Sequence, residues 1–93
     1  MFDFSNKVVL ITGASYGFGE QFAYAFAEAG ANLILTARSE DALTQVGKAC
    51  EAKGASVCVV AGDVSNEADV NAVIQAGLQQ FGKIDVLDRK SVV

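Results

Sequence analysis

Hydrophobic positions along the chain fall into two alternating rhythms. Lys7-Val8-Val9-Leu10-Ile11-Thr12 is an unbroken apolar and β-branched run, the pattern of a strand covered on both faces. From Phe18 the rhythm turns helical, which predicts a helix with Phe22 and Phe26 on one face beside Ala23, Ala27 and Ala29, stopped by Gly30. Asn32-Leu33-Ile34-Leu35-Thr36-Ala37 is a second buried strand. Ser39 reads as a helix cap ahead of Glu40 and Asp41, and Leu43, Val46, Ala49 and Cys50 follow at helical spacing up to Gly54. Ser56-Val57-Cys58-Val59-Val60-Ala61 is a third strand. Ser65 reads as the cap of a third helix with a stripe of Val70, Val73, Ile74, Gly77, Leu78 and Phe81, ended by Gly82. Ile84-Asp85-Val86-Leu87 opens a fourth strand. Strict alternation of strand and helix predicts an α/β fold: a doubly wound parallel sheet with helices on both faces. Right-handed crossovers favour strand order 3-2-1-4, with a ligand at the carboxyl end of the first strand, where the order reverses.

Composition narrows the class without changing this picture. A chain of 93 residues, 52% hydrophobic and 19% charged, has the balance of one small globular unit. The net charge of -4 argues against nucleic acid and anionic membrane as partners. The apolar runs are of strand length, and no basic flank leads one, so neither a spanning helix nor a signal peptide is expected. Cys50 and Cys58 lie inside predicted elements without metal-ligand spacing, and read as buried free thiols in a reducing cytoplasm. No metal site is expected.

Glycines cluster where the first strand meets the first helix, in Thr12-Gly13-Ala14-Ser15-Tyr16-Gly17-Phe18-Gly19. In that context Gly13 allows a sharp turn, Gly17 leaves room for a pyrophosphate, and Gly19 lets helix and strand approach. The first-turn N–H groups and the helix dipole favour phosphate. The G-x-x-x-G-x-G spacing after Thr12 resembles the short-chain dehydrogenase/reductase family. So do Asp63-Val64 after the third strand and Phe81-Gly82-Lys83-Ile84-Asp85-Val86-Leu87 leading into the fourth. Phe18 stands where that family usually carries Ile or Leu. The resemblance covers about residues 5 to 87. It implies a Rossmann-type dinucleotide-binding domain, with Asp63 accepting from the adenine amino group and Val64 packing on the adenine face. A plain turn residue leading into a helix is the alternative for Asp63. Ser15 reads equally as a hydroxyl for a phosphate or ribose and as a stabiliser of the turn.

The end of the second strand bears on cofactor choice. An acid there would accept from both ribose hydroxyls and favour NAD. This chain has Ala37 and then Arg38, whose planar fork suits a 2′-phosphate, so NADP is expected over NAD. Many NADP-preferring members of the resembled family also carry a basic residue just before the second glycine, where this chain has Tyr16.

Beyond Leu87 the pattern changes. Asp88-Arg89-Lys90-Ser91-Val92-Val93 puts successive charges where a central strand would be buried, so the strand is expected to stop as a central element at Leu87. This divides the chain into residues 1–87, the first half of an NAD(P)-binding domain truncated after the fourth strand, and residues 88–93, a tail outside the family pattern. That tail also resembles the in-frame translation of a common sequencing-adapter oligonucleotide; a frameshift, a divergent tail and a truncation are the alternatives. The resemblance implies a parent oxidoreductase, cytoplasmic and homo-oligomeric, that moves hydride between NADP(H) and a small alcohol or carbonyl substrate. In that family a Tyr is the general acid/base, a Lys lowers its pKa, a Ser orients the carbonyl and an Asn anchors a proton relay. The Tyr-x-x-x-Lys pair is absent from these residues: Tyr16 is followed four positions on by Glu20, and Tyr24 by Glu28. No catalytic residue is therefore assigned, and the chain alone is expected to turn nothing over. A non-catalytic module that binds or senses NADP(H) is the alternative function.

Overall fold

The computed structural model describes residues 3–88. Within them the chain runs β1 (Val8–Thr12), α1 (Gly17–Glu28), β2 (Asn32–Ala37), α2 (Glu40–Ala52), β3 (Val57–Ala61), α3 (Glu67–Phe81) and β4 (Val86–Asp88). The four strands form one sheet in the order β3-β2-β1-β4. All pairings are parallel, with Val8 opposite Asn32, Leu33 opposite Val57 and Val9 opposite Val86. This is the Rossmann-type α/β fold expected from the alternation, with the reversal of order at β1.

Successive strand residues point to opposite faces and build two apolar layers. Val9, Ile11, Leu33 and Leu35 pack with Ala23 and Ala27 of α1 and with Leu43, Val46 and Cys50 of α2. Val8, Leu10, Ile34 and Cys58 pack with Val73 of α3. The central strands β1 and β2 are buried almost throughout, whereas Val59 on β3 and Leu87 on β4 are partly exposed, because those strands are the sheet's edges. Both cysteines are buried free thiols whose pKa is raised by burial.

Several boundaries and faces differ from the pattern. Lys7, Ser56, Ile84 and Asp85 lie outside the strands, and α1 begins at Gly17 rather than Phe18. The buried face of α1 is Gly19, Ala23 and Ala27; Phe22 is 45% exposed, and Phe26 sits at the margin edge-on to Phe4. Small side chains take the inner face because the helix lies close to the sheet, and bulky rings are displaced to its flanks. On α3 the same closeness places Gly77 against Ile34, where a Cβ would collide with the Ile34 Cδ1, while Leu78 is pushed outward to 38% exposure.

The cap of α3 is Asn66, not Ser65. The Asn66 carboxamide accepts from the N–H groups of Ala68 and Asp69 at 2.9 and 3.2 Å. Ser65 instead donates its hydroxyl to the Asp63 carboxylate. Ser39 does cap α2, accepting from Ala42 N–H.

Strand β4 runs one residue beyond the expected stop. Asp88 pairs with Ile11 in register, since an edge strand can continue its backbone ladder without sealing both faces of each residue. The remainder of the tail, 89–93, lies outside the described residues.

Candidate functional site

The loops at the carboxyl ends of β1, β2 and β3 meet at one end of the sheet. Ala14 N–H donates to Thr36 O at 3.1 Å, and Gly62 N–H donates to Ala37 O at 2.9 Å, which fixes the three strand ends to one another. Between them opens a cleft lined by Thr12, Gly13, Ser15 and Tyr16 from the glycine loop. Ala37, Arg38, Ser39 and Ala42 line it from the second strand and helix, and Gly62 and Val64 from the third loop. The structure thus gathers Gly13, Ser15, Tyr16, Arg38 and Val64 around one space, from positions far apart in sequence. Thr12, Ala37, Ser39, Ala42 and Gly62 line it too and were not among the residues expected to bind the cofactor. Gly62 was signalled only by its place before Asp63, and the others read as ordinary strand-end, cap and helix residues.

The remaining candidates lie beside the cleft. Gly17 begins α1 with a φ of 61°, a left-handed conformation that glycine adopts freely, and nothing stands within 4 Å of where its side chain would be. The Tyr16 side chain makes no capping hydrogen bond to the first turn of α1. Gly19 is buried, and a Cβ on it would strike the Gly13 carbonyl; the spacing of the loop is set by backbone-to-backbone contact. Phe18 is 71% exposed and stacks on Phe22 at 6.4 Å, away from the cleft lining.

Asp63 occupies the seam between this cleft and a more apolar hollow lined by Leu10, Thr36, Val70, Val73, Ile74 and Leu87. The Asp63 Oδ1 accepts from Ser65 N–H at 2.9 Å and Ser65 Oγ–H at 2.8 Å, and faces Arg38 Nη2 at 3.6 Å. The Ser65 hydrogen bonds, first the backbone one and then the hydroxyl, hold the Asp63 carboxyl below its ordinary pKa, with Arg38 adding to the same effect. The Asp63 N–H donates to Asp69 Oδ2 at 3.0 Å. Asp63 is therefore a turn former as well as a neighbour of the cleft. Thr36 Oγ1, in the hollow, is buried without a hydrogen-bond partner.

Tyr24 is poorly suited to act as a phenolic base. The Tyr24 hydroxyl donates to Glu20 Oε2 at 2.8 Å, and this bond, reinforced by burial and the carboxylate's charge, pushes its pKa up to about 12. The partner is Glu20, one turn before Tyr24; the expected neighbour Glu28 instead pairs with Lys53 at 3.0 Å. Among the described residues no group of His, Cys, Asp and Glu is arranged to hold a metal, and no helix is long and apolar enough to cross a membrane.

Comparison with known proteins agrees with this architecture. The chain is 44% identical over 86 residues to an 11-beta-hydroxysteroid dehydrogenase of Pinus massoniana, covering 91% of this chain and 24% of that protein. It superposes with a TM-score of 0.88 on a short chain dehydrogenase/reductase from Burkholderia phymatum in complex with NAD, at 45% identity, covering 94% of this chain and 31% of that one. It matches L-sorbose reductase from Gluconobacter frateurii, complexed with NADPH and L-sorbose, with a TM-score of 0.87 at 38% identity, covering 91% and 33% of the two chains. The chain spans about a quarter of the length of the curated relatives it matches. A family model described as short chain dehydrogenase matches residues 7–90, and with the fold, the glycine loop and the cleft in place the chain belongs to that family.

Proposed function

We propose that residues 1–87 form the adenosine- and pyrophosphate-binding half of an NADP(H)-dependent oxidoreductase that moves hydride between the cofactor and a small alcohol or carbonyl substrate. One observation carries the cofactor reading: among the described residues lining the cleft, Arg38 holds the only positive charge, at the end of β2, with no acid beside it on that strand and the Asp63 carboxylate across from it at 3.6 Å. A planar cation in that place suits the 2′-phosphate that separates NADP from NAD.

The residues fit the nucleotide. Gly17 leaves open space at the start of α1, and the uncapped first-turn N–H groups are donors for a pyrophosphate. Gly13 and Gly19 keep the loop tight against the helix. Ser15 offers a hydroxyl at the cleft wall, Tyr16 flanks the phosphate path, and Val64 and Asp63 border the adenine end, whereas Phe18, stacked on Phe22, lies outside the cleft lining. Bound NADP(H) would supply or accept the hydride; this chain's residues would bind and orient it. Ala37 and Val64 keep the adenosine side apolar, and Arg38 selects the phosphorylated ribose. The parent protein is proposed to be cytoplasmic and to assemble with copies of itself.

Residues 1–93 contain no Tyr-x-x-x-Lys pair, and Tyr24 is held by Glu20 in the direction opposite to what a phenolic base requires. The chain alone is therefore inactive. The test of cofactor choice is titration with adenosine 2′,5′-bisphosphate and adenosine 5′-monophosphate, which differ only in the 2′-phosphate. Arg38→Ala is expected to weaken the bisphosphate by about 1–3 kcal/mol, the scale of a charge-assisted contact, and to leave the monophosphate nearly unchanged. Equal losses for the two would refute the reading. Purified chain mixed with NADPH and a panel of ketones and aldehydes should show no oxidation above background; turnover that scales with protein would overturn the inactivity.

A further inference from the structure

We propose that Asp63 tunes how strongly the cleft prefers a 2′-phosphorylated adenosine, by holding Arg38 in an ion pair that the phosphate must break. The inference rests on the reading that Arg38 faces the 2′-phosphate. Arg38 Nη2 lies 3.6 Å from Asp63 Oδ1, with the arginine side chain 80% exposed and the aspartate 38%. The two partners are not equally free. Asp63 is fixed by Ser65 N–H and Ser65 Oγ–H, and its own N–H is held by the Asp69 carboxylate. Arg38 has a long side chain reaching into solvent. The anion is thus the fixed half of the pair and the cation the movable half.

A nucleotide phosphate must draw Arg38 away from a carboxylate that stays in place, with the Asp69 carboxylate close behind it. Binding the 2′-phosphate therefore separates Arg38 from its anchored partner, and the lost pairing offsets part of the new contact. Contacts to adenine, ribose and the 5′-phosphate are common to both nucleotides, so this offset falls on the 2′-phosphate alone. The outcome is a site that accepts NADP with only modest preference over NAD.

Asp63→Asn tests this cleanly, because the carboxamide oxygen can still accept from Ser65 while the charge is gone. Define selectivity as the ratio of the dissociation constants of adenosine 5′-monophosphate and adenosine 2′,5′-bisphosphate, measured by calorimetry on the 93-residue chain. Effects on adenine contacts cancel in that ratio. Asp63→Asn is expected to raise selectivity about three- to tenfold at low salt, the scale of one nearby screened charge. Added to Arg38→Ala, it should raise selectivity by less than about twofold, because the effect acts through the arginine. If Asp63→Asn proves unfolded by circular dichroism, Asp63→Ser, whose hydroxyl can accept from the Ser65 N–H, repeats the measurement. Unchanged or reduced selectivity in a folded Asp63 variant, while Arg38→Ala abolishes it, would overturn this inference and leave the cofactor reading standing. A gain that persists without Arg38 would show simple repulsion rather than a hold on the arginine, and would also overturn it. Selectivity unmoved by Arg38→Ala, or a wild-type chain that binds neither nucleotide, would sink the cofactor reading and this inference together.

Discussion

Three residues show how differently single positions can matter here. Gly17 and Gly19 belong to one motif, yet they answer to separate constraints. A Cβ on Gly17 meets nothing within 4 Å, so Gly17→Ala costs only the left-handed conformation, about 1 kcal/mol, while placing a methyl group in the space proposed for the pyrophosphate. A Cβ on Gly19 would strike the Gly13 backbone, which cannot move without breaking the loop, so Gly19→Ala should cost about 3 kcal/mol. Urea titration and nucleotide titration together check this: Gly17→Ala folded but binding-deficient, Gly19→Ala destabilised first. Comparable stability for the two would contradict it. Asp85 makes a different point. Its carboxylate accepts from Val8 N–H at 2.9 Å and pairs with Lys83 at 3.1 Å, tying the entry of β4 to the start of β1. The Val8 bond is the main cause of its lowered pKa, with Lys83 assisting. A folded-state pKa below the unfolded one means that the stabilisation is complete above the unfolded value, near about 4, and is lost as pH falls through the folded value. Asp85→Ala should therefore lower the melting temperature at pH 7 and make acid unfolding below about pH 4 less steep; a variant as acid-sensitive as wild type would show that other carboxylates dominate. The glycine loop was legible in the sequence because each glycine acts within its own turn. The role of Asp85 was not, because its partner Val8 lies 77 positions away and no local pattern marks the bond.

At the scale of elements, periodicity located every described strand and helix to within about two residues; it read the buried face of α2 correctly and misplaced Phe22 on α1 and Leu78 on α3. Hydrophobic patterning weights Phe22 and Phe26 above Gly19 and Ala23, but α1 lies close enough to the sheet that only Gly19, Ala23 and Ala27 are buried beneath it, whereas α2 has room for Leu43 and Val46. Gly77 of α3, expected in the buried stripe and found there, shows how tight the approach is, with its missing Cβ matched to the Ile34 Cδ1. Gly77→Ala should destabilise by about 1–2 kcal/mol through overpacking, less a helix-propensity gain of under about 1 kcal/mol. Adding Ile34→Val removes the offending methyl, so the double variant should be more stable than the two single losses summed. Strict additivity in chemical denaturation would show that the contact relaxes elsewhere. The cap of α3 carries the same lesson about neighbours. Ser65 and Asn66 are both good capping types, and sequence cannot rank them, because the choice depends on Asp63 drawing the Ser65 hydroxyl back into its turn. Asn66→Ala should cost about 1 kcal/mol of stability and Ser65→Ala less than half of that. The reverse order would restore Ser65 as the cap.

For the whole molecule, the strand order followed from crossover handedness, and the position of the cleft followed from the order. What the order leaves is a sheet with two edges of unlike character. β3 is flanked on both faces by α2 and α3, and Gln80 reaches its Val57 carbonyl at 3.4 Å. β4 has three residues, pairs only with β1 within the four-stranded sheet, and carries Leu87 at 50% exposure. Leu87 is in register with Leu10, and both line the apolar hollow beneath α3. An unpaired strand edge beside apolar surface is a template for another strand, and the chain's net charge of -4 gives modest repulsion against it. The chain should therefore self-associate with rising concentration, through β4 rather than β3. Leu87→Lys puts a charge at the end of that edge and removes the apolar side chain, so it should shift the weight-average mass toward the monomer in sedimentation velocity. Val59→Lys, on the other edge, should shift it much less. Leu87→Lys lowers the net negative charge and by that alone would favour association, whereas Leu87→Glu raises it: local disruption predicts a shift toward monomer for both, and a net-charge effect predicts opposite directions. Association that ignores both Leu87 variants would place the contact elsewhere on the molecule.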